Sequence, residues 1–246
     1  MSSDRKIFFQ DLGAIEYKLA WDFQERLLEK NVLFKRTYQP EKTTNHLLFC
    51  EHPPVFTLGK SGKEEHLLIN ERTLQEKGIA FFHTNRGGDI TFHGPAQIVG
   101  YPILDLEKFF TDIGRYLRSL EEVIILTLAE YGIIGDRSPG ETGVWIEPYL
   151  KHKARKICAM GVRCSRWITM HGFALNVNTD LDYFNYIIPC GINDKQVTSI
   201  EKELGIKVSM EEVKAKLKKN FEKVFEAKIE QSSYLLSVLL STESPI

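Results

Sequence analysis

Apolar residues spaced four apart open the chain. Over residues 14 to 30 (AIEYKLAWDFQERLLEK), Leu19, Phe23 and Leu27 form one stripe, which predicts an amphipathic helix. His46 to Cys50 (HLLFC) and Val55 to Leu58 (VFTL) are short apolar runs that read as buried strands, parted by Pro53-Pro54, which cannot sit inside a ladder. Asn70 is placed to cap a short helix, ERTLQEK, and Gly78 to stop it. From Ile79 the stretches IAFFHT, DITFH and QIVGYPILDL predict strands, antiparallel neighbours around the turn Arg86-Gly87-Gly88. Thr111 opens a second helix that ends near Tyr131, with Leu117, Leu120, Ile124 and Leu128 on one face. GDRSPGETG reads as loop.

KICAMGVR (156 to 163) and RWITMHGFALN (166 to 176) predict two more strands joined by a turn at Ser165. Beyond a PCG turn, Thr198 with Glu201 and Ser209 with Glu212 have capping-box spacing, for IEKEL and for VKAKLKKNFEKVF. Val213, Leu217, Phe221 and Val224 make the second of these amphipathic, and STESPI reads as a loose tail. Helices at both ends and strands in the middle predict an α+β fold with a mostly antiparallel or mixed sheet. No repeat or linker divides the 246 residues, so a single domain is expected.

Composition narrows the function classes. With 32 Lys and Arg against 33 Asp and Glu there is no basic surplus to bind a phosphate backbone, so nucleic acid is not the expected partner. The N-terminus lacks a long apolar segment, which predicts neither signal peptide nor membrane span and places the protein in the cytoplasm. Cys50, Cys158, Cys164 and Cys190 have no C-x-x-C spacing and are expected to remain thiols, without a zinc site.

Three stretches could carry chemistry. In RGGDITFHGPAQIVGYP (86 to 102), Gly87 and Gly88 let backbone N–H groups approach a bound group that Arg86 could anchor, with His93-Gly94-Pro95 as a far wall; a plain hairpin is the other reading. In KICAMGVRCSRW (156 to 167), alternation puts Lys156, Cys158, Met160, Val162 and Cys164 on one face and Ile157, Ala159, Gly161 and Arg163 on the other. Lys156 is then a lone charge on an apolar face. It either reaches out to water or lies in a pocket whose dryness favours the neutral amine of a general base. In YFNYIIPCGI (183 to 192), Cys190 sits between Pro189 and Gly191, a turn that can hold a thiol out of the packing; it is either an inert buried thiol or a nucleophile activated by Lys156, His171 or His93. The sequences H-E-x-x-H, G-x-S-x-G and G-x-G-x-x-G are absent.

Six ordered blocks resemble the lipoyl(octanoyl) transferase family: EHPPVFTLGK, RGGDITFHGPAQIVGYPILDL, TGVWI, KICAMGVRCSRWITMHGFALNVNTDL, PCGI and VTSIEKELG. The resemblance implies an octanoyl-[acyl-carrier-protein]:protein N-octanoyltransferase of lipoate biosynthesis. Such an enzyme moves an octanoyl or lipoyl group from acyl carrier protein to a lysine of lipoyl domains, those of 2-oxoacid dehydrogenase E2 subunits and of the glycine cleavage H protein. It implies Cys190 as the thioester-forming nucleophile and Lys156 as its partner. Acyl-binding segments fall on Arg86, Gly87, Gly88, Asp89, Ile90, Thr91, Phe92 and His93, on Ala159, Met160 and Gly161, and on Gly172, Phe173 and Ala174. It also implies the fold of biotin and lipoate protein ligases, a larger mixed sheet flanked by helices plus a smaller sheet, with no cofactor or metal. The chain departs from the family at Ala96, where glycine is usual, at Phe92, often tyrosine, and in the extra Cys158 and Cys164. Rival readings are an ATP-dependent lipoate or biotin ligase, a noncatalytic acyl-carrier-binding module and a cysteine hydrolase.

Overall fold

A computed structural model describes residues 5–188 and 196–232. In chain order its strands are β1 (Lys6–Ala14), β2 (His46–Glu51), β3 (Val55–Leu58), β4 (Ala80–His83), β5 (Ile90–His93), β6 (Gln97–Ile103), β7 (Gly135–Asp136), β8 (Val144–Ile146), β9 (Arg155–Ser165), β10 (Ile168–Asn176), β11 (Gln196–Val197) and β12 (Lys228–Gln231). Its α-helices are α1 (Tyr17–Arg36), α2 (Glu71–Glu76), α3 (Ile113–Ala129), α4 (Ile200–Leu204) and α5 (Met210–Phe225). A nine-stranded mixed sheet runs β12-β1-β2-β6-β10-β9-β8-β7, with β11 paired beside β9, and a three-stranded sheet runs β4-β3-β5. The fold is the expected α+β arrangement of a large and a small sheet. Among the described residues no helix is long and apolar enough to cross a membrane.

The large sheet is covered on both faces, and β6 and β10 at its centre are buried along their whole length for that reason. On one face Leu47 and Phe49 of β2 join α3 and α5 in the larger core; on the other Leu48 and Cys50 join Phe23, Leu27 and Leu28 of α1. Gly100 of β6 lies beneath Phe173 of β10, where a Cβ would come within 2.2 Å of the ring.

Several expected details differ. Leu19 is 55% exposed, because α1 buries Ala20, Phe23, Gln24, Leu27, Leu28 and Asn31 and Leu19 falls about 100° round from Ala20. The strands on either side of Arg86-Gly87-Gly88 are not paired neighbours. β3 lies between them, parallel to β4 and antiparallel to β5, so the glycines do not close a hairpin. Asp112, not Thr111, caps α3 by accepting the Arg115 N–H, and Ser199, not Thr198, caps α4 by accepting the Lys202 N–H. Thr198 instead donates its hydroxyl to Glu203. The turn between β9 and β10 is Arg166-Trp167, both at positive φ, one step beyond Ser165. Asn70 and Ser209 cap their helices as expected. The PCG turn and the terminal STESPI lie outside the described residues.

Candidate active site

A cavity of about 630 Å³ opens between the large sheet, β5 with the loop before it, and the first turns of α3. Its walls include Arg86 to Thr91 and His93, Lys156, Ala159 to Val162, and His171 to Ala174. Thus the first two stretches singled out in the sequence meet around one space, with Phe184 of the third. Phe92 does not reach it: the ring is 1% exposed, stacked 4.5 Å from Tyr183 in the small-sheet core. Cys190 lies outside the described residues.

The loop from Arg86 to Asp89 is pinned by its own arginine. The buried Arg86 guanidinium donates from Nη2 to Thr57 O at 2.6 Å and Asp89 O at 2.7 Å, and from Nη1 to Gly87 O at 3.1 Å. The Gly87 N–H donates to Val162 O of β9 at 3.0 Å, so it is spent on tethering the loop and not left for a bound group. Such close approach needs glycine on the β9 side, where a Cβ on Gly161 would lie 2.6 Å from Gly87 O; the neighbouring β10 and β6 meet as closely, a Cβ on Gly172 lying 2.2 Å from Gly100 O.

Lys156 pairs with Trp145 of β8 on one side and Val197 of β11 on the other. Its side chain is 12% exposed, with Nζ 4.0 Å from Glu141 Oε2 and 4.6 Å from the centre of the Trp145 ring. The loop carrying Glu141 is anchored to α3, since the wholly buried Glu121 carboxylate accepts the Gly143 N–H and bonds from Arg118 and Arg137. Farther along β9 the expected alternation holds in part. Met160 and Val162 pack toward α3 while Arg163 reaches Glu25 of α1, but both Ile157 and Cys158 enter the α3 core, beside a register shift between Val144 and Trp145.

At the other end the wall is polar. His93 Nδ1 donates to Gln97 Oε1 at 3.0 Å, because the Gln97 amide nitrogen is committed to Asn176 Oδ1 and Phe92 O. Asn176 in turn donates to Thr198 O. His52 Nδ1 donates to Ile15 O, which leaves Nε2 to accept from the Tyr101 hydroxyl at 2.7 Å. His171 has φ +60°, which swings its ring toward Asn85 and Trp21; Nε2 donates to Asn85 Oδ1, whose amide nitrogen is given to Glu25. Burial drives the His52 pKa down to about 4 and that of His171 to about 3, Arg86 adding to the second effect. It also holds His93 well below the ordinary range. Burial pushes the Tyr17 phenol up, and that ring stacks on His93 at 6.0 Å.

Of the two histidines named as partners for Cys190, His93 is bonded to Gln97. His171 sits opposite Val162, six positions along β9 from Lys156, or about 20 Å at 3.3 Å per residue. Sequence reasoning missed Glu141, Tyr17, Gln97, Tyr101 and Asn176 in the wall, with Ile113 and Leu117 at the apolar lip, and His52 behind Tyr101. Glu141 lies between Gly140 and Gly143, both at positive φ, but nothing local in the sequence ties it to Lys156.

Residues 16–222 match the family model of the lipoyl protein ligase A/B catalytic domain. An octanoyltransferase of Flavobacterium johnsoniae is 60% identical over 92% of this chain and 99% of its own. One of Cytophaga hutchinsonii is 55% identical over 95% and 98%. Among solved structures, a putative lipoate protein ligase from T. acidophilum superposes with TM-score 0.68 over 95% of this chain and 92% of that one, at 15% identity. A bipartite lipoate protein ligase from Thermoplasma acidophilum, described with its E2 lipoyl domain, also gives 0.68, at 17% identity over 96% and 89%. At such identities these two speak for the fold alone. Sequence and fold thus agree, and the chain belongs to the lipoyl protein ligase A/B catalytic-domain family, among its octanoyltransferases.

Proposed function

We propose that this protein moves an octanoyl group from acyl carrier protein to a lysine of a lipoyl domain, through a thioester on Cys190. In the first half the Lys156 amine takes the Cys190 proton, and the thiolate attacks the carrier thioester. A new C–S bond forms, the carrier's C–S bond breaks, and the carrier thiolate leaves with a proton. In the second half the acceptor amine attacks the acyl-enzyme, forming an amide and returning the Cys190 thiolate, while Lys156 relays the amine's proton. Atoms balance without nucleotide or metal, because a thioester is already activated.

The observation that carries this reading is the setting of Lys156. Its ammonium end lies in the cavity wall between a carboxylate at 4.0 Å and an indole face at 4.6 Å. Held on two sides in this way, Nζ stays at the cavity surface, where it can take the proton of a thiol brought into the cavity. The acyl chain would run along Ala159 to Gly161 and Gly172 to Ala174, on the floor of the cavity. The test is transfer between purified partners: the lipoyl domain should gain one octanoyl group from octanoyl carrier protein without ATP. Product only from free octanoate with ATP would assign the protein to the ligases instead.

A further inference from the structure

The loop between β8 and β9 leaves the cavity rim beside Lys156 and is apolar and cationic at once. Tyr149 is 68% and Leu150 48% exposed, with Lys151, His152 and Lys153 exposed next to them. Both carboxylates bonded at this corner, Glu147 and Glu203, are held by one arginine. Arg155 donates from Nη1 to Glu147 at 2.5 Å and from Nε and Nη2 to the two oxygens of Glu203, each at 2.6 Å. Lys151, His152 and Lys153 have no ion-pair partner among the described residues, so Lys151, Lys153 and Arg155 set three positive charges against the two carboxylates and the outward face is positive, on a chain of net charge -1. The loop also has a fixed form: the Lys153 and Ala154 N–H groups both donate to Leu150 O, the Leu150 N–H donates to Glu147 O, and Glu147 and His152 hold positive φ.

We propose that this loop is the docking surface for the acyl carrier protein, a conclusion that rests on the transferase reading above. A carrier's thioester arm hangs from a phosphodiester, so the surface around an incoming arm is anionic by its own chemistry, and lysines suit a phosphate as compact charges. Exposed cations at a rim raise the encounter rate and select for acidic partners. Reach decides between donor and acceptor. The acceptor lysine is a short side chain, so its domain must sit over the cavity mouth, whereas a long arm lets the carrier body rest to one side. Lys151 is five positions from Lys156, at most about 17 Å even if fully extended.

The test compares the wild-type protein with Lys151→Glu/Lys153→Glu, using octanoyl carrier protein, octanoyl-pantetheine as a donor with neither protein nor phosphate, and the lipoyl domain as acceptor. In the double variant KM for the carrier should rise about tenfold, while kcat, turnover of octanoyl-pantetheine and KM for the lipoyl domain stay unchanged. Added salt should bring the wild-type carrier KM toward that of the variant, and Lys151→Arg/Lys153→Arg should restore the low value. An unaltered carrier KM, or a rise in the lipoyl-domain KM instead, would overturn the assignment. Failure of the wild-type protein to transfer from either donor would count against the transferase reading itself.

Discussion

At the scale of single residues the site depends on backbones brought unusually close together. Gly161 faces Gly87 O so tightly that even a methyl group has no room, and backbone on both sides must move to admit one. Gly161→Ala is expected to lower stability by about 1–3 kcal/mol and to weaken acyl transfer, read by urea unfolding and by turnover. A variant as stable and as active as the parent would show that the Gly87 tether is dispensable. Lys156 drew notice in the sequence as the lone charge on an otherwise apolar strand face, and the family resemblance singled it out. Glu141 did not, since it meets Lys156 only through a loop that the buried Glu121 holds against α3. His52 and Tyr17 were invisible for a similar reason: His52 bonds to the carbonyl of Ile15, 37 residues away, and no local pattern records such a pairing.

Helices and strands were read more reliably in kind than in phase. The helix at the N-terminus was expected, yet its buried stripe is turned about 100° from Leu19. Phe23→Ala is therefore expected to cost about 3–5 kcal/mol. Leu19→Ala should change stability by no more than about 0.5 kcal/mol. Equal losses in thermal unfolding would contradict this phase. The cap of α4 offers a second check, since Ser199 accepts the Lys202 N–H, and Ser199→Ala should cost about 1 kcal/mol. The strands around Arg86 were recognised but their pairing was not. Alternation fixes which face a residue occupies and says nothing about which strand lies beside it, so the insertion of β3 between β4 and β5 had no signature.

Across the whole molecule the buried histidines link stability to pH. His46 and His52 are held neutral to about pH 4 and His171 to about 3, in each case mainly by burial, against an ordinary value of 6.5. Unfolded, each would take a proton below about 6.5; folded, none does until far lower. The unfolded state thus binds more protons in this window, and stability present above pH 6.5 is lost on acidification at up to about 1.4 kcal/mol per pH unit per histidine. Urea midpoints should fall clearly between pH 7.5 and 5. A flat profile would show that these rings take up protons in the folded protein.

The proposed relay can be read directly from the mass of the intact protein after mixing with octanoyl carrier protein and no acceptor. One octanoyl adduct should appear, mapping to Cys190, vanish in Cys190→Ala and form at least about a hundredfold more slowly in Lys156→Ala. An adduct that persists in Cys190→Ala would contradict the thioester mechanism.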